Sequence, residues 1–513
     1  DDRADAQLEK RYDVQELGDR VFPLYNALVF VSLPHNCDET MTKKVLSLLL
    51  CAAMTTATRA EDVYKDVRAR WLQTAEASCP ELHYETVRPT AIVRAVADTE
   101  AYQGWRYERT GEAAEFYTAN FNAQREVTLD FGRHLVGYFT FHVRELSRCQ
   151  DAPIRLKFTF GEVSAELNVP LDPWKAGLNR AWMQDEVVTV TSVGEPITIP
   201  RRLAFRYVKI ELMGSSSWDF AIDDVSFRAQ SSAGEVQTQL QSGCPDIVRR
   251  INEVGINTLH ECMQMVFEDG PKRDRRLWMG DLRLQALAND QSYRNYDLVK
   301  RCLYLFAGST LPGGRVGAGL FLEPEIEVDD TAMFDYSLLY VPMLLAYYET
   351  TGDRQTLTEL WPTAWRQIEL AQERFDEQGL VRDSDVLGWC FVDWNLHLNK
   401  QVSAQGIYLY CLKALTELAE WIGKEKLAAE YKEEYEKKAV AAKRIFFDET
   451  IGLFVSGEER QVSYASQIWM ILSGALTAEE GKELLNALSK WEYAEKICRE
   501  SKINVKPKEY TLK

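Results

Sequence analysis

The feature that most constrains this chain is a change of hydrophobic period near residue 240. Before it, apolar and polar residues alternate. "VTLDFG" sets Val127, Leu129 and Phe131 on one side, "IRLKFTFG" sets Ile154, Leu156, Phe158 and Phe160 opposite Arg155, Lys157 and Thr159, and "FRYVKIEL" sets Val208, Ile210 and Leu212 opposite Tyr207, Lys209 and Glu211. Side chains of a strand point alternately to its two faces, so these runs, separated by Gly, Pro and Asp turns, predict an antiparallel β-sandwich over 61–235. Such a module more commonly packs against a neighbour and stabilises it than binds sugar. Around "SSAGEVQTQLQSGCPD" (231–246) the alternation stops, and from 236 to 513 the apolar spacing is helical.

Eight helices are expected, near 245–266, 282–307, 334–351, 354–376, 402–422, 424–445, 462–474 and 478–498. In the first, Ile247, Ile251, Val254, Thr258 and Cys262 share one face. Connections as short as "TTGD" (350–353) and "WIGKEK" (421–426) make antiparallel hairpins. No fixed-period repeat signature is present, which favours an (α/α)-type helical barrel over an open solenoid. The longer connections fall on alternate joints and so share one end of the barrel. They are acidic and aromatic, "FLEPEIEVDDTAMFD" (321–335) and "GWCFVDWN" (388–395).

Composition removes several functions. A net charge of −18 argues against a nucleic-acid partner. The 10 cysteines lack CxxC or CxH spacing, so no zinc site is signalled, and no organic or metal cofactor is expected. Residues 41–60, "MTKKVLSLLLCAAMTTATRA", pair two lysines with an apolar run too short to cross a bilayer and a small-residue end. That layout is expected of a secretory signal peptide, with 1–40 a non-native upstream extension. The expected location is secreted or periplasmic, in a bacterium, with no membrane association after cleavage.

"EDGPKRDRRLWMGDL" (268–282) connects two of the helices, with Asp281 placed as an N-cap. A solvated turn gains nothing from a tryptophan. Asp269, Asp274 and Asp281 could cap helices and pair with Arg273, Arg275 and Arg276. Their concentration around Trp278, with Trp389, Asp393 and Trp394 on another loop of the same end, points instead to a site. Sugar rings stack their apolar faces on tryptophan and offer hydroxyls to carboxylates, and glycosidic cleavage requires one protonated carboxyl.

The same loop, "DGPKRDRRLWMGD", resembles the signature of the α-L-rhamnosidases of glycoside hydrolase family 78. There an Asp opens a Pro-containing loop, an acidic residue follows an Arg, and a Trp precedes a Gly-Asp pair. "VTLDFGRHLVGYFTFHV" (127–143) and "RRLAFRYVKIEL" (201–212) look like strands of that family's sandwich, and "FVDWN" with "YLYCLKALTELA" (408–419) looks like its later Asp-Trp loop and helix. The resemblance implies inverting hydrolysis of terminal α-L-rhamnosyl residues of an oligosaccharide or glycoside. Asp274 would be the general acid and Asp269 and Asp281 would hold ring hydroxyls. Arg273 would orient a carboxylate, Trp278 and Trp394 would form the apolar wall, and Asp335, Trp389 and Asp393 would line the substrate site. The chain departs from the family in placing Asp274 where a Glu is usual, one methylene shorter. A six-hairpin barrel also has twelve helices rather than eight, so an incomplete barrel is expected, with the general base, a late Glu, lying beyond residue 513. Another inverting helical-barrel glycosidase and a non-catalytic sugar-binding protein are the alternatives.

Overall fold

The computed structural model describes residues 66–147, 150–329, 331–384, 388–395 and 397–490. The expected upstream extension and signal peptide therefore lie outside the described residues. The first element is not a strand but a helix, α1, over 66–77. It packs on the later helical region. The Arg301 guanidinium donates to the carbonyl of Ala75 at 2.6 Å, and a side chain at Gly308 would strike Leu72.

The strands follow as β1 (His83–Val87), β2 (Ala91–Ala97), β3 (Trp105–Glu112), β4 (Glu126–Glu145), β5 (Ile154–Gly161), β6 (Gln184–Val190), β7 (Ile197–Thr198), β8 (Leu203–Leu212) and β9 (Phe220–Ser231). All pair antiparallel in the order β1-β9-β4-β8-β5-β6, with β2, β3 and β7 joined through β4. β4 is long enough to serve both halves. Its first residues pair with β2 and β8, the register against β8 shifts between Asp130 and Leu135, and Gly137–Glu145 pair with β9. Such an irregularity bends the strand and lets one sheet curl over a single core. The alternation expected from the sequence holds: Val127, Leu129, Phe131, Ile154, Leu156, Phe158, Phe160, Val208, Ile210 and Leu212 are all buried in it. Phenylalanines 131, 139, 160, 205 and 227 meet there edge to face, with Phe205 and Phe227 centroids 4.8 Å apart, the preferred arrangement of their quadrupoles.

Helices then take over: α2 (Asp246–Cys262), α3 (Met279–Asp290), α4 (Tyr296–Gly308), α5 (Phe334–Thr351), α6 (Arg354–Ala371), α7 (Gln401–Trp421), α8 (Glu425–Phe446), α9 (Tyr464–Leu472) and α10 (Ala478–Ser489). The expected helix at 282–307 is two. Between them Arg294 adopts φ 57°, and Asn295 caps α4 by accepting the Leu298 amide at 3.1 Å. A polar side chain at an N-cap satisfies a helix donor, and the left-handed residue before it turns the chain. The first hairpin is thus α3–α4, followed by α5–α6, α7–α8 and α9–α10. α2 stands before them against β4 and β9. The α5–α6 joint illustrates how little chain a hairpin needs: Gly352 at φ 69° ends α5 and Asp353 caps α6.

α3, α5, α7 and α9 contact one another in sequence and form an inner arc, with α4, α6, α8 and α10 outside. Among the described residues the arc does not close into a ring. Arg283 of α3 reaches across it to Tyr410 of α7, donating at 2.9 Å, and its guanidinium lies 6.0 Å from the ring of Trp469 on α9. The apolar stripe of α2 is a further departure from expectation. Ile247, Ile251 and Val254 are 62%, 64% and 67% exposed, and the helix instead buries Leu259 and Cys262 near its C-terminus.

Candidate active site

The loop entering α3 and the connections α4–α5 and α6–α7 converge at one end of the arc. Three backbone ties assemble them. β10 (Leu277–Trp278) pairs with β11 (Gly319–Phe321), which pairs with β12 (Glu327–Val328). Met333 bridges Trp389, and the Phe334 amide donates to the Trp389 carbonyl at 2.9 Å. The fourth link is a side chain. Asp335, in the first turn of α5, accepts the amides of Phe391 and Val392, each at 3.0 Å.

The opening loop closes on itself. The Asp269 amide donates to the Arg276 carbonyl at 3.0 Å, and the Arg276 amide donates to Asp269 Oδ1 at 3.2 Å. Within this closure Asp274 and Arg275 both take left-handed backbone angles, φ 62° and 56°. Each such residue costs on the order of 1–3 kcal/mol, so surrounding bonds must hold them. Asp281 lies in the first turn of α3 and is not its N-cap, which is Trp278.

Asp269, Asp274 and Asp281 come near enough to repel one another. Burial, with that repulsion from Asp274 and Asp281, pushes the Asp269 carboxyl up to about 7. Burial and Asp274 also raise Asp281. Removing water from a carboxylate and setting like charges beside it both favour the protonated form. The arginines that could have opposed this are mostly drawn aside. Arg275 donates to the carbonyl of Arg202 at 2.7 Å, and Arg276 pairs with Asp329 at 3.1 Å while lying 3.9 Å over the Phe321 ring. Arg273 alone stays, with its guanidinium 3.6 Å from Asp274.

An aromatic wall borders the aspartates. Trp278 meets Tyr336 edge to face at 6.2 Å, Tyr336 meets Phe391 at 5.8 Å, and Phe391 meets Trp389 and Trp394 at 5.7 and 5.2 Å. Trp394 is 67% exposed, so much of its ring faces solvent. Two glycines make the close packing possible. A Cβ at Gly280 would lie 2.4 Å from the Tyr336 ring, and one at Gly319 3.2 Å from Trp278. The Gly of the Gly-Asp pair therefore has a steric cause.

Not every expected residue serves the site directly. Asp335 was expected against substrate, but it is 3% exposed and committed to the loop amides, so it holds the aromatic loop instead. Asp393 is exposed at the loop tip, where its carboxylate accepts the Asn395 amide at 2.9 Å. Sequence reasoning passed over Tyr336, Phe391 and Lys400. Tyr336 follows Asp335 in "AMFDY" and sits in the field of Asp281 and Asp269. Burial first, and those charges second, raise its phenol. Lys400 donates to the carbonyls of Cys390, Phe391 and Asp393 at 2.8, 2.8 and 2.9 Å, and lies 4.3 Å over the Trp389 ring. Nothing in the local pattern around Lys400 marks it. Among the described residues no cluster of His, Cys, Asp and Glu is disposed to hold a metal ion.

Comparison with known proteins gives this geometry a family. Residues 89–229 match the model of the glycosyl hydrolase family 78 α-rhamnosidase N-terminal domain, and 240–495 match that of the bacterial α-L-rhamnosidase six-hairpin glycosidase domain. Among solved structures, a rhamnosidase from Klebsiella oxytoca with rhamnose bound is 42% identical, with TM-score 0.80, covering 83% of this chain and 82% of that one. Two others share the fold at low identity. They are a family 78 rhamnosidase of Bacillus sp. GL1 (18%, TM-score 0.60, 72% of this chain and 37% of that) and a Streptomyces avermitilis α-L-rhamnosidase complexed with L-rhamnose (16%, TM-score 0.56, 82% and 36%). A comparison with curated proteins found no match. With a strand domain and a hairpin domain each matched in order, and an acidic-aromatic site at the hairpin end, this chain belongs to the α-L-rhamnosidases of glycoside hydrolase family 78.

Proposed function

We propose that the acidic-aromatic end of the hairpin arc binds a terminal α-L-rhamnosyl residue and protonates its leaving glycosidic oxygen, in a hydrolysis that inverts the anomeric centre. The observation that carries this reading is the aspartate cluster, in which one carboxyl, Asp269, is held near 7. Near neutral pH a carboxyl held there keeps its proton part of the time, as an acid catalyst must. Burial beside Asp274 and Asp281 favours the proton on Asp269, within the cluster. Asp274 delivers it. Asp269 is tied by one oxygen to the Arg276 amide, whereas Asp274 stands on the strained turn with Arg273 as its near neighbour. Asp281 and the tied Asp269 accept ring hydroxyls, and Trp278, Tyr336 and Trp394 receive the apolar ring face. The base that activates water across the ring is assigned to none of the described residues.

Asp274→Asn keeps the shape of the side chain and removes its proton. Turnover of an alkyl α-L-rhamnoside should fall by orders of magnitude, and that of the nitrophenyl rhamnoside much less, because an activated leaving group needs little protonation. Equal losses on both substrates would refute Asp274 as the acid. Rhamnose binding by the unaltered chain with no turnover of either substrate would favour a sugar-binding protein. The reading includes export from a bacterial cell, supported by the layout of residues 41–60. N-terminal sequencing of secreted protein should then begin near Glu61, and a mature chain retaining residues 1–40 would exclude it.

A further inference from the structure

One residue of the strand domain touches both flanks of the acid loop. Arg202 immediately precedes β8, and its guanidinium donates to both oxygens of Glu268, at 2.8 and 2.8 Å. Its own carbonyl accepts from the Arg275 guanidinium at 2.7 Å. Glu268 precedes Asp269 and Arg275 follows Asp274, so the two carboxyls lie between the points that Arg202 grips. A third tie comes from the segment after β5, which ends in a short helix over Ser164–Asn168: Lys272 donates to Glu166 at 2.6 Å and reaches Glu162 at 3.4 Å. The Arg202–Glu268 pair is shielded, with side-chain exposures of 16% and 7%. Arg202 is itself fixed because Leu203 and Ala204 are fully buried and the Ala204 amide donates to Gln184 at 3.0 Å.

We propose that Arg202 of the strand domain is a positioning residue for the acid turn, gripping Glu268 through its side chain and Arg275 through its carbonyl to hold Asp274 in its left-handed conformation. The strand domain then takes part in catalysis rather than only stabilising its neighbour. Drawing the Arg275 guanidinium to Arg202 also keeps it off the aspartates. It is held there even though its Nε finds no hydrogen-bond partner among the described residues. Geometry explains why an arginine serves here. Both bonds leave one nitrogen, Nη2, at the end of a planar group whose reach and orientation an ammonium on a flexible stem does not reproduce.

The inference rests on Asp274 as the acid, and Asp274→Asn in parallel keeps the two apart. In the full chain, Arg202→Met should lower kcat on an alkyl rhamnoside about 10- to 100-fold, with KM within about threefold, consistent with the cost of a small misplacement of a catalytic group. On the nitrophenyl rhamnoside the loss should be several-fold smaller, since the misplaced group is the proton donor. Amide hydrogen exchange over 269–276 should accelerate while that of β4 and β8 stays unchanged. Arg202→Lys should recover only part of kcat. Glu268→Gln serves as the second variant if Arg202→Met fails to fold, because it keeps the packing and loses the ion pair. If Asp274→Asn shows the leaving-group difference but Arg202→Met and Glu268→Gln lower both substrates equally, or leave exchange in the loop unchanged, the positioning role is overturned. If Asp274→Asn itself shows no difference, the acid assignment fails, and unchanged loop exchange in Arg202→Met would still overturn the grip.

Discussion

A site built to keep a proton must destabilise the fold that carries it, and Asp269→Asn measures by how much. Its carboxyl is raised from 3.8 to about 7 in the folded chain, with burial the first cause and the neighbouring aspartates the second. Below pH 3.8 the group is protonated in both folded and unfolded chains and contributes nothing to the pH dependence. Between 3.8 and 7 only the unfolded chain releases the proton readily, so stability declines by about 1.4 kcal/mol per pH unit. Above 7 the loss is complete and constant, and a shift of about three units amounts to roughly 4 kcal/mol. Asn removes the ionisation yet keeps an oxygen for the Arg276 amide, which Asp269 Oδ1 accepts at 3.2 Å. Urea denaturation followed by tryptophan fluorescence at pH 4, 6 and 8 should show variant and wild type nearly equal at pH 4. By pH 8 the variant should be more stable by about 2–4 kcal/mol, with turnover greatly reduced. A stability difference that does not change with pH, or a variant less stable at pH 8, would refute the elevated carboxyl.

Other substitutions test the frame around the cluster. Asp335→Ala leaves the amides of Phe391 and Val392 without their acceptor in a buried place and should cost about 2–4 kcal/mol in urea denaturation, with KM for nitrophenyl rhamnoside raised as the aromatic loop loosens. Gly280→Ala pushes a methyl into the Tyr336 ring, 2.4 Å from its nearest atom, and should lower stability by about 1–3 kcal/mol; an unchanged melting temperature would contradict that packing. Ile251→Ala, on the exposed stripe of α2, should change stability by no more than about 0.5 kcal/mol, whereas a loss above about 2 kcal/mol would mean that the stripe is covered.

What could be read from the sequence was whatever leaves a local period or a local stereochemical demand. Alternation in β4, β5 and β8 revealed which residues face the strand core, because a strand's two faces differ whatever it packs against. The α5–α6 joint was legible for a similar reason: Gly352 and Asp353 satisfy helix ends that need them. The loop of Asp269, Asp274, Trp278 and Asp281 stood out because its residues suit no ordinary turn.

Tertiary structure decided the rest. Periodicity identifies the apolar stripe of α2 but not whether anything lies on it, and Ile247, Ile251 and Val254 face outward. Asp335 reads like any acidic loop residue until the loop 56 positions later brings its amides to it. Arg202 and Glu268 are 66 residues apart in different domains, and a single ion pair leaves no repeat by which to find either. The aspartates themselves were visible in the chain, but the proton on Asp269 was not. An isolated carboxyl in water ionises near pH 4, and only burial beside two like charges, which folding alone arranges, moves it toward neutrality.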